Sequence, residues 1–244
     1  VCVVIPARMG GRRFPDKALA DVDGSPLICC AYRNALRWPR ARQVIVATDS
    51  DEIVRVLLDE CPVQITGAHR NGTLRAIEAF DLLPVELTRD CRWLMDLQFS
   101  EATLSPAAME AMFADRVPGV PAIRTLACPL REGEQDDYNT VKVALGASRR
   151  ALWFSRQPLP CAYRHIGIYA FHRLILPRLA SIPQSPHAAI SDLEQLDWLD
   201  AGLAIQVVLV KEQLVTVTVP SDLAKLKEHF KTKAAARCRE ALPP

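Results

Sequence analysis

The sequence predicts a three-layer α/β fold around a mixed, mainly parallel β-sheet. Short apolar strands alternate with helices through the first half, and parallel strands need such crossover connections. Strands of the second half follow one another with fewer helices, which indicates a smaller antiparallel extension. We find no repeat and no long linker, so we expect one domain with a first half (1–117), a second half (118–219) and a C-terminal helix (220–244).

The strands predicted in the first half are short apolar runs that end at turn residues. Ser25 is expected to cap a helix that has Pro26 at its first position. Asn71 is expected to cap another, and Ser105 to open a third. The predicted strands are 1–5, 43–48, 63–66 and 92–98, and the predicted helices are 26–36, 52–60 after a cap at Asp49 or Ser50, 72–83 and 106–114.

The second half is predicted to be rich in strands. Pro220 starts a terminal helix in which Leu223, Leu226 and Phe230 recur at helical spacing. A further helix is expected among the strands. The predicted strands are 120–126, 140–145, 151–155, 164–171, 204–210 and 214–219, and the inserted helix is 187–199.

The composition argues against several classes of protein. A formal net charge of +2 gives no general attraction to nucleic acid or to a membrane surface. No apolar run approaches the ~20 residues that span a bilayer. Eight cysteines include no C-x-x-C pair, which favours reduced, mostly buried thiols over a zinc site. No basic and apolar leader precedes the first strand, so the sequence predicts a cytoplasmic protein without nucleic-acid or membrane partners.

The segment after the first strand is typical of a phosphate-binding loop. Residues 6–17 place two glycines and four cations directly behind an apolar strand. Glycine lets backbone N–H groups approach a ligand closely, and Arg and Lys neutralise phosphate charge. Ligands of parallel sheets bind beyond the carboxyl ends of the strands, so 6–17, 66–73 and 98–102 are expected to share one rim. The alternative for the loop is a solvated basic turn without a ligand.

Seven short motifs, taken in order, resemble one family. They are I-P-A-R with R-F-P-D-K (4–17), V-A-T-D (46–49), N-G-T-L-R (71–75), N-T-V-K-V (139–143), W-F-S-R (153–156), R-H-I-G-I-Y (164–169) and L-E-Q-L (193–196). Over nearly its whole length the chain is similar to the cytidylyltransferases that activate acidic sugars. The 3-deoxy-manno-octulosonate cytidylyltransferases (CMP-Kdo synthetases) are the most similar group, and the CMP-sialate synthetases are more distant. The resemblance implies a Rossmann-like, nucleotide-diphospho-sugar-transferase-like fold.

The resemblance also implies a reaction and its residues. Family members combine CTP with a 2-keto-3-deoxy acid and release pyrophosphate, so CTP and an acidic small molecule are the expected partners. Members are commonly dimers, which makes a homodimer the expectation here. As catalytic contacts to the triphosphate the resemblance implies Arg8, Arg13 and Lys17, whose charges suit a leaving pyrophosphate. It implies Ala7, Gly10, Gly72, Thr73 and Gln98 for the nucleotide, and Arg156, His165, Glu194 and Gln195 for the acceptor.

The residues alone leave alternatives open at two of these positions. Gly72 and Thr73 are also what a plain helix N-terminus contains, and His165 is also compatible with simple packing in a strand.

The pattern breaks at the family's magnesium ligands. The resemblance implies Mg²⁺ held by two aspartates, but the matching positions here are Ser100 and Thr218. Two neutral hydroxyls cannot replace two anionic ligands, so the cofactor Mg²⁺ is doubtful in this chain. Glu101 is the nearest substitute carboxylate if a turn brings it round. Asp96 lies four residues before Ser100, about 13 Å away at a strand rise of ~3.3 Å per residue.

These observations give two main hypotheses. The first is a divergent cytidylyltransferase that transfers CMP from CTP to an acidic sugar or related acid. Changes at Leu74 and Ser191 from the family's glutamates indicate an acceptor other than the usual octulosonate. The second, motivated by Ser100 and Thr218, is a catalytically inactive homologue with a binding or regulatory role. A third, new chemistry in the same cleft, has no motif in its favour, and the sequence assigns neither acceptor nor pathway.

Overall fold

The computed structural model describes residues 1–11, 13–114, 122–211 and 214–240, with side chains up to Thr232. Four features of the sequence analysis lie outside this description: the predicted boundary at 117/118, the predicted strand start at Val120, the loop residue Arg12 and the side chain of Cys238.

The strands are β1 (Cys2–Ala7), β2 (Asp21–Val22), β3 (Ser25–Pro26), β4 (Gln43–Thr48), β5 (Val63–Ile65), β6 (Trp93–Leu97), β7 (Ile123–Cys128), β8 (Lys142–Leu145), β9 (Ala151–Ser155), β10 (Tyr163–His172) and β11 (Ile205–Leu209). The helices are α1 (Leu27–Leu36), α2 (Asp51–Leu57), α3 (Gly72–Leu82), α4 (Val85–Thr88), α5 (Pro106–Ala111), α6 (Leu176–Ser181), α7 (Pro186–Ser191), α8 (Gln195–Asp200) and α9 (Asp222–Glu240), with 3₁₀ turns at Lys17–Leu19, Phe99–Glu101 and Arg173–Ile175.

Nine of the strands described above form one mixed sheet. β1 lies at its centre, parallel to β4 and β6, and β5 extends the parallel set beyond β4. β10 runs antiparallel between β6 and β7, and β11 lies parallel to β7. A hairpin of β8 and β9 continues from β10. The predicted α/β fold, with a mainly parallel sheet and a smaller antiparallel extension, is confirmed.

Two apolar layers cover the two faces of this sheet. Along β1, Val3 and Ile5 pack into the layer that contains α1, α2 and α5. Cys2 and Val4, which point the other way, pack into the layer that contains α3, α6 and α8. Burial on both faces explains why β1 is a continuous apolar run rather than an alternating one. The helices therefore fix the strands so that their carboxyl ends meet at one rim.

The helix caps of the first half follow the sequence in part. Ser50 and Asn71 accept the N–H groups expected of N-cap residues, and Ser105 caps α5. The prediction for Ser25 is wrong. It lies in β3, where its hydroxyl accepts a hydrogen bond from Arg33, and α1 begins two residues later without a side-chain cap.

Two predicted elements of the second half are also wrong. The helix predicted at 187–199 is two helices, because Asp192 has a left-handed φ of 53° that ends α7. The strand predicted at 214–219 is outside the sheet. Instead, the N–H of Val217 donates to the carbonyl of Ser100 at 3.1 Å, so this segment lies against the 3₁₀ turn that follows β6.

The terminal helix α9 packs back onto the domain through Leu226, which is fully buried. Its predicted start at 220 is two residues early, since Pro220 and Ser221 form a turn ahead of Asp222. Among the helices described, none has both the length and the apolar character that crossing a bilayer requires.

Candidate functional site

A cleft of about 530 Å³ opens at the rim of the sheet. It lies beyond the carboxyl ends of the parallel strands, where ligands of such sheets bind. Thr73, Ser100 and Glu101 are buried and are not part of its lining. The remaining predicted site residues all line it: Ala7, Arg8, Gly10, Arg13, Lys17, Gly72, Gln98, Arg156, His165, Glu194, Gln195 and Thr218.

Glycine is required in the loop that follows β1. Gly10 has a φ of +75°, which residues with a side chain rarely adopt. A Cβ on Gly11 would lie 2.8 Å from the carbonyl oxygen of Phe14, which is too close for any other residue. The loop turns sharply at these two positions and leaves Arg8 and Arg13 exposed on the cleft.

Lys17 lies deeper in the cleft than the two arginines. Its ammonium group donates to the carbonyl of Val217 at 3.0 Å and lies 5.1 Å from the centre of the Phe99 ring. Burial, and then the neighbouring charge of Arg13, lower the pKa of Lys17 to about 8. The side chain is therefore mainly protonated at neutral pH and loses its charge when the pH rises above 8.

The N-terminus of α3 packs directly against this loop. The side chain of Asn71 accepts the N–H of Leu74 at 3.0 Å and so starts the helix. A Cβ on Gly72 would lie 3.1 Å from Pro6 and 3.5 Å from the amide nitrogen of Gln98. Glycine therefore permits a close approach of three chain segments, and the positive end of α3 faces the cleft.

Two pairs of polar side chains that the sequence did not identify support this side of the cleft. Arg75 is buried and bridges the carboxylate of Asp49 at 2.8 Å and the hydroxyl of Thr66 at 2.9 Å. His69 contacts the carboxylate of Glu78. Arg75 and His69 both line the cleft. Their partners come from the ends of β4 and β5 and from α3, so only the folded sheet brings them together.

Arg156 anchors the opposite side of the cleft. Its guanidinium donates to the carbonyl of Ser191 at 2.9 Å and to that of Asp192 at 3.2 Å. These bonds hold Asp192, the residue that ends α7, close to the end of β9. Burial is the main cause that lowers the pKa of Arg156.

His165 is a neutral ring in an aromatic stack. The hydroxyl of Thr125 donates to the carbonyl of Ile168 at 2.6 Å, so Nε2 of His165, 2.9 Å from the same hydroxyl, carries the ring hydrogen. The ring packs between Phe154 and Tyr169. Burial lowers its pKa to about 3, so it stays uncharged at neutral pH.

Glu194 and Gln195 complete that side of the cleft, at the start of α8. The carboxylate of Glu194 accepts the N–H of Thr73 at 3.3 Å, and Gln195 is buried. The hydroxyl of Thr73 donates to Asp96 at 3.0 Å. Thr73, predicted to contact the nucleotide, therefore has polar partners inside the protein.

Glu101 lies next to Ser100 and close to the segment that contains Thr218, near the loop. Glu101 is 4% exposed, and its carboxylate accepts the hydroxyl of Thr216 at 2.8 Å and the N–H of Gly167 at 3.4 Å. Burial is the main cause that raises the pKa of Glu101. The described residues contain no cluster of three or more His, Cys, Asp or Glu side chains placed to hold a metal ion.

The charge of the cleft is strongly unbalanced. Its described lining contains two carboxyl groups, those of Asp192 and Glu194, against six groups that are positively charged at neutral pH. Such a surface attracts a polyanion, and the phosphates of a nucleotide are the polyanion that a glycine-rich loop after a strand accommodates. The six cations are Arg8, Arg13, Lys17, Arg70, Arg75 and Arg156.

The sequence is related to known enzymes over almost its full length. Residues 2–209 match the family model of the cytidylyltransferases. The chain is 35% identical over 246 residues to the 3-deoxy-manno-octulosonate cytidylyltransferase of Chlorobium phaeobacteroides (strain BS1), covering 95% of this chain and 97% of the relative. A protein of the same description from Anaeromyxobacter sp. (strain K) is 36% identical over 237 residues, covering 93% and 96%.

Solved structures agree with these matches. A structure of CMP:2-keto-3-deoxy-manno-octonic acid synthetase complexed with CTP has a TM-score of 0.83 at 29% identity, covering 95% of this chain and 98% of that one. The inositol-1-phosphate CTP transferase from T. maritima, at 15% identity, shares the fold with a TM-score of 0.67 over 93% of each chain. The nucleotidyltransferase-like fold is thereby confirmed. The chain belongs to the cytidylyltransferase family and is similar to the CMP-Kdo synthetases within it.

Proposed function

We propose that this protein transfers a cytidylyl group from CTP to a hydroxyl of an acidic sugar and releases pyrophosphate. The observation that carries the proposal is one cleft in which the cationic loop faces a second set of polar residues around Arg156 and His165. Family membership supports CTP as the donor. The relatives named for 3-deoxy-manno-octulosonate make that acid the first acceptor to test.

The reaction needs charge to be held at two places. The acceptor oxygen forms a bond to the α-phosphorus, the bond from that phosphorus to the bridging oxygen breaks, and pyrophosphate leaves with the electron pair. The hydroxyl proton passes to solvent. We assign Arg8, Arg13 and Lys17 to the triphosphate, where their charges stabilise the leaving pyrophosphate. We assign Ala7, Gly10, Gly72, Thr73 and Gln98 to the nucleotide, and Arg156, His165, Glu194 and Gln195 to the acceptor.

We further propose that side-chain cations supply most of the charge that balances the triphosphate. The fold brings Ser100 beside the segment that contains Thr218, but both offer hydroxyls, and Mg²⁺ prefers carboxylate and phosphate oxygens. Glu101 is engaged by Thr216 and Gly167 and is not part of the lining. These residues do not fit a carboxylate-held Mg²⁺, and no step of the proposed reaction is assigned to one.

The test is pyrophosphate release from CTP by the purified protein. We expect release that requires both CTP and an acidic sugar, of which 3-deoxy-manno-octulosonate is tested first, and that falls at least tenfold in Arg13→Ala, since a charge-assisted contact is worth about 1.5–3 kcal/mol. Arg37→Ala, an exposed arginine outside the cleft, is the matched control and keeps the wild-type rate. CTP binding without pyrophosphate release for any acidic sugar would contradict the proposal and favour an inactive homologue, which the comparisons do not support.

The homodimer stays a prediction, to be checked by light scattering.

A further inference from the structure

Asp96 is a buried charged residue to which the proposed reaction gives no role. It lies within β6, is 0% exposed and has Tyr169 of β10 as its cross-strand partner. Its Oδ2 accepts the hydroxyl of Thr73 at 3.0 Å, whereas its Oδ1 has no partner in the part of the chain that is described. A buried oxygen without a hydrogen bond is rare, and it is much more unfavourable on an ionised carboxylate than on a neutral carboxyl.

A second carboxyl group shares the same threonine. The N–H of Thr73 donates to Oε2 of Glu194 at 3.3 Å, while its hydroxyl donates to Asp96. One residue at the N-terminus of α3 therefore links a carboxyl in the core to a carboxyl on the cleft. In the described residues, neither carboxyl forms a salt bridge.

Two negative charges in this position would be unfavourable. Burial raises the pKa of Asp96 well above its usual range, and the charge of Glu194 raises it further. Burial raises the pKa of Glu194 to about 7, with Asp197 and Asp192 adding to the rise and the bonds from Thr73 opposing it. At neutral pH the pair therefore retains protons that ordinary carboxyl groups would have lost.

Among the described residues, the neighbouring side chains provide no positive charge to balance the two carboxyl groups. Asp197 is engaged by the N–H of Ser185 at 2.6 Å and by Arg70 at 3.7 Å. Arg156 donates to backbone carbonyls. The hydrogen bonds and charges that act on the pair come from Thr73 of α3 and from Asp192 and Asp197 in the segment of α7 and α8. Tyr169 of β10 is the cross-strand partner of Asp96, and His165 and Arg156 line the same cleft as Glu194.

We propose that Asp96 is a positioning residue that acts through Thr73 and Glu194, and that this pair of carboxyl groups keeps protons so that Glu194 adds no negative charge to the acceptor end of the cleft. An anionic acceptor can then approach Glu194 without repulsion. When the pair loses its protons at alkaline pH, the same carboxylate repels that acceptor. The role in acceptor binding depends on the proposed function, whereas the retained protons are a property of the unliganded protein.

The first experiment uses the protein alone. A carboxyl group whose pKa is raised in the folded state binds more protons folded than unfolded, so its contribution to stability falls as the pH rises. We therefore compare urea unfolding of wild type, Asp96→Asn and Glu194→Gln at pH 5.5 and pH 8.5. Between these pH values, the unfolding constant of each variant relative to wild type is expected to fall at least about tenfold, which corresponds to one pKa unit.

Asp222→Asn is the control. Asp222 is a partly buried aspartate outside the cleft, and its carboxylate accepts the N–H groups of Thr218 at 2.9 Å and Val219 at 3.0 Å. This variant is expected to unfold more readily than wild type by a similar factor at both pH values. Should Asp96→Asn and Glu194→Gln also change the unfolding constant by the same factor at both pH values, the carboxyl groups hold no extra protons and the proposal is overturned. Glu194→Gln, at a partly exposed position, keeps the test decisive if Asp96→Asn does not fold.

The second experiment measures acceptor KM and kcat from pH 6.5 to pH 8.5. In wild type, the KM for the acidic sugar is expected to rise several-fold with pH. In Asp96→Asn, the KM for the acidic sugar is expected to rise less. The KM for CTP is expected to be the same in the two proteins at each pH. An equal rise in both proteins would overturn the assigned role of Asp96. If no transfer occurs at any pH, the proposed function fails, and the urea experiment still decides whether the pair retains protons.

Discussion

The two ends of the cleft differ in how firmly their polar side chains are fixed. The loop end contains Arg8 and Arg13, and the acceptor end contains Arg156 and His165. At the loop end, Arg8 and Arg13 are exposed, and the guanidinium of Arg13 donates to the side chain of Asn139 at 3.2 Å. At the other end, Arg156 and His165 are each 9% exposed and are fixed by hydrogen bonds or aromatic packing. In the proposed function, the loop end provides the electric field that binds the flexible triphosphate, and the other end provides a fixed shape for the acceptor. Substitutions at the first should change affinity, whereas substitutions at the second should change stability as well.

The largest expected effect is on stability, at the fixed end. Arg156→Ala removes two charge-assisted hydrogen bonds to the carbonyls of Ser191 and Asp192 from an arginine that is 9% exposed, and such bonds contribute about 1.5–3 kcal/mol each. We expect the free energy of unfolding to fall by about 3 kcal/mol in urea titrations. Arg8→Ala is the comparison at the loop end and should change it by less than about 0.5 kcal/mol. Equal losses in the two variants would remove the distinction between the ends.

The next effect is on nucleotide affinity, at the loop end. Lys17→Met removes an ammonium group from the cleft, so we expect calorimetry to show CTP binding about 10–100-fold weaker, the equivalent of 1.5–3 kcal/mol for a charge-assisted contact. Lys211→Met changes an exposed lysine outside the cleft and should bind CTP like wild type. Unaltered affinity in Lys17→Met would show that this lysine does not contact the nucleotide.

A smaller effect is expected from pH at the same residue. Lys17, with a pKa of about 8, is charged below that pH and neutral above it. CTP affinity should therefore fall several-fold between pH 7 and pH 9. Lys17→Arg keeps its charge throughout this range, so its affinity should change much less. A wild-type profile as flat as that of Lys17→Arg would mean that another group provides the contact.

The smallest effect is expected from salt. Exposed charges are screened within about 10 Å at 0.1 M ionic strength, and Arg8 and Arg13 are exposed. Raising salt from 0.05 M to 0.5 M should weaken CTP binding a few-fold and leave the KM for the acceptor nearly constant. A stronger salt effect on the acceptor than on CTP would reverse the comparison.

The sequence shows the residues of the loop end more directly than the carboxyl pair of the acceptor end, for a physical reason. Glycines and cations of residues 6–17 are neighbours in the chain, so their chemistry is visible without the fold. The carboxyl pair is different, because Thr73 is 23 residues from Asp96 and 121 residues from Glu194. From the sequence, Asp96 is considered only as a metal ligand, and its distance from Ser100 argues against that role.

The same limit applies to the elements of the fold. The strand at β1 and the cap at Asn71 are local features, and both were predicted within a few residues of their observed positions. The segment 214–219 has the apolar and β-branched composition of a strand, yet it pairs with the turn after β6 and not with the sheet. Composition alone does not show which partner is available, and it does not show that Asp192 takes a left-handed conformation that divides one helix into two.

The most direct test of the difference between the two ends is a crystal structure with CTP bound. We expect phosphate oxygens within hydrogen-bond distance of Arg8, Arg13 and Lys17, the nucleoside beside Gly72, and open space next to Arg156 and Glu194. A triphosphate bound at the Arg156 end, or a loop that stays free of phosphate at saturating CTP, would contradict the account.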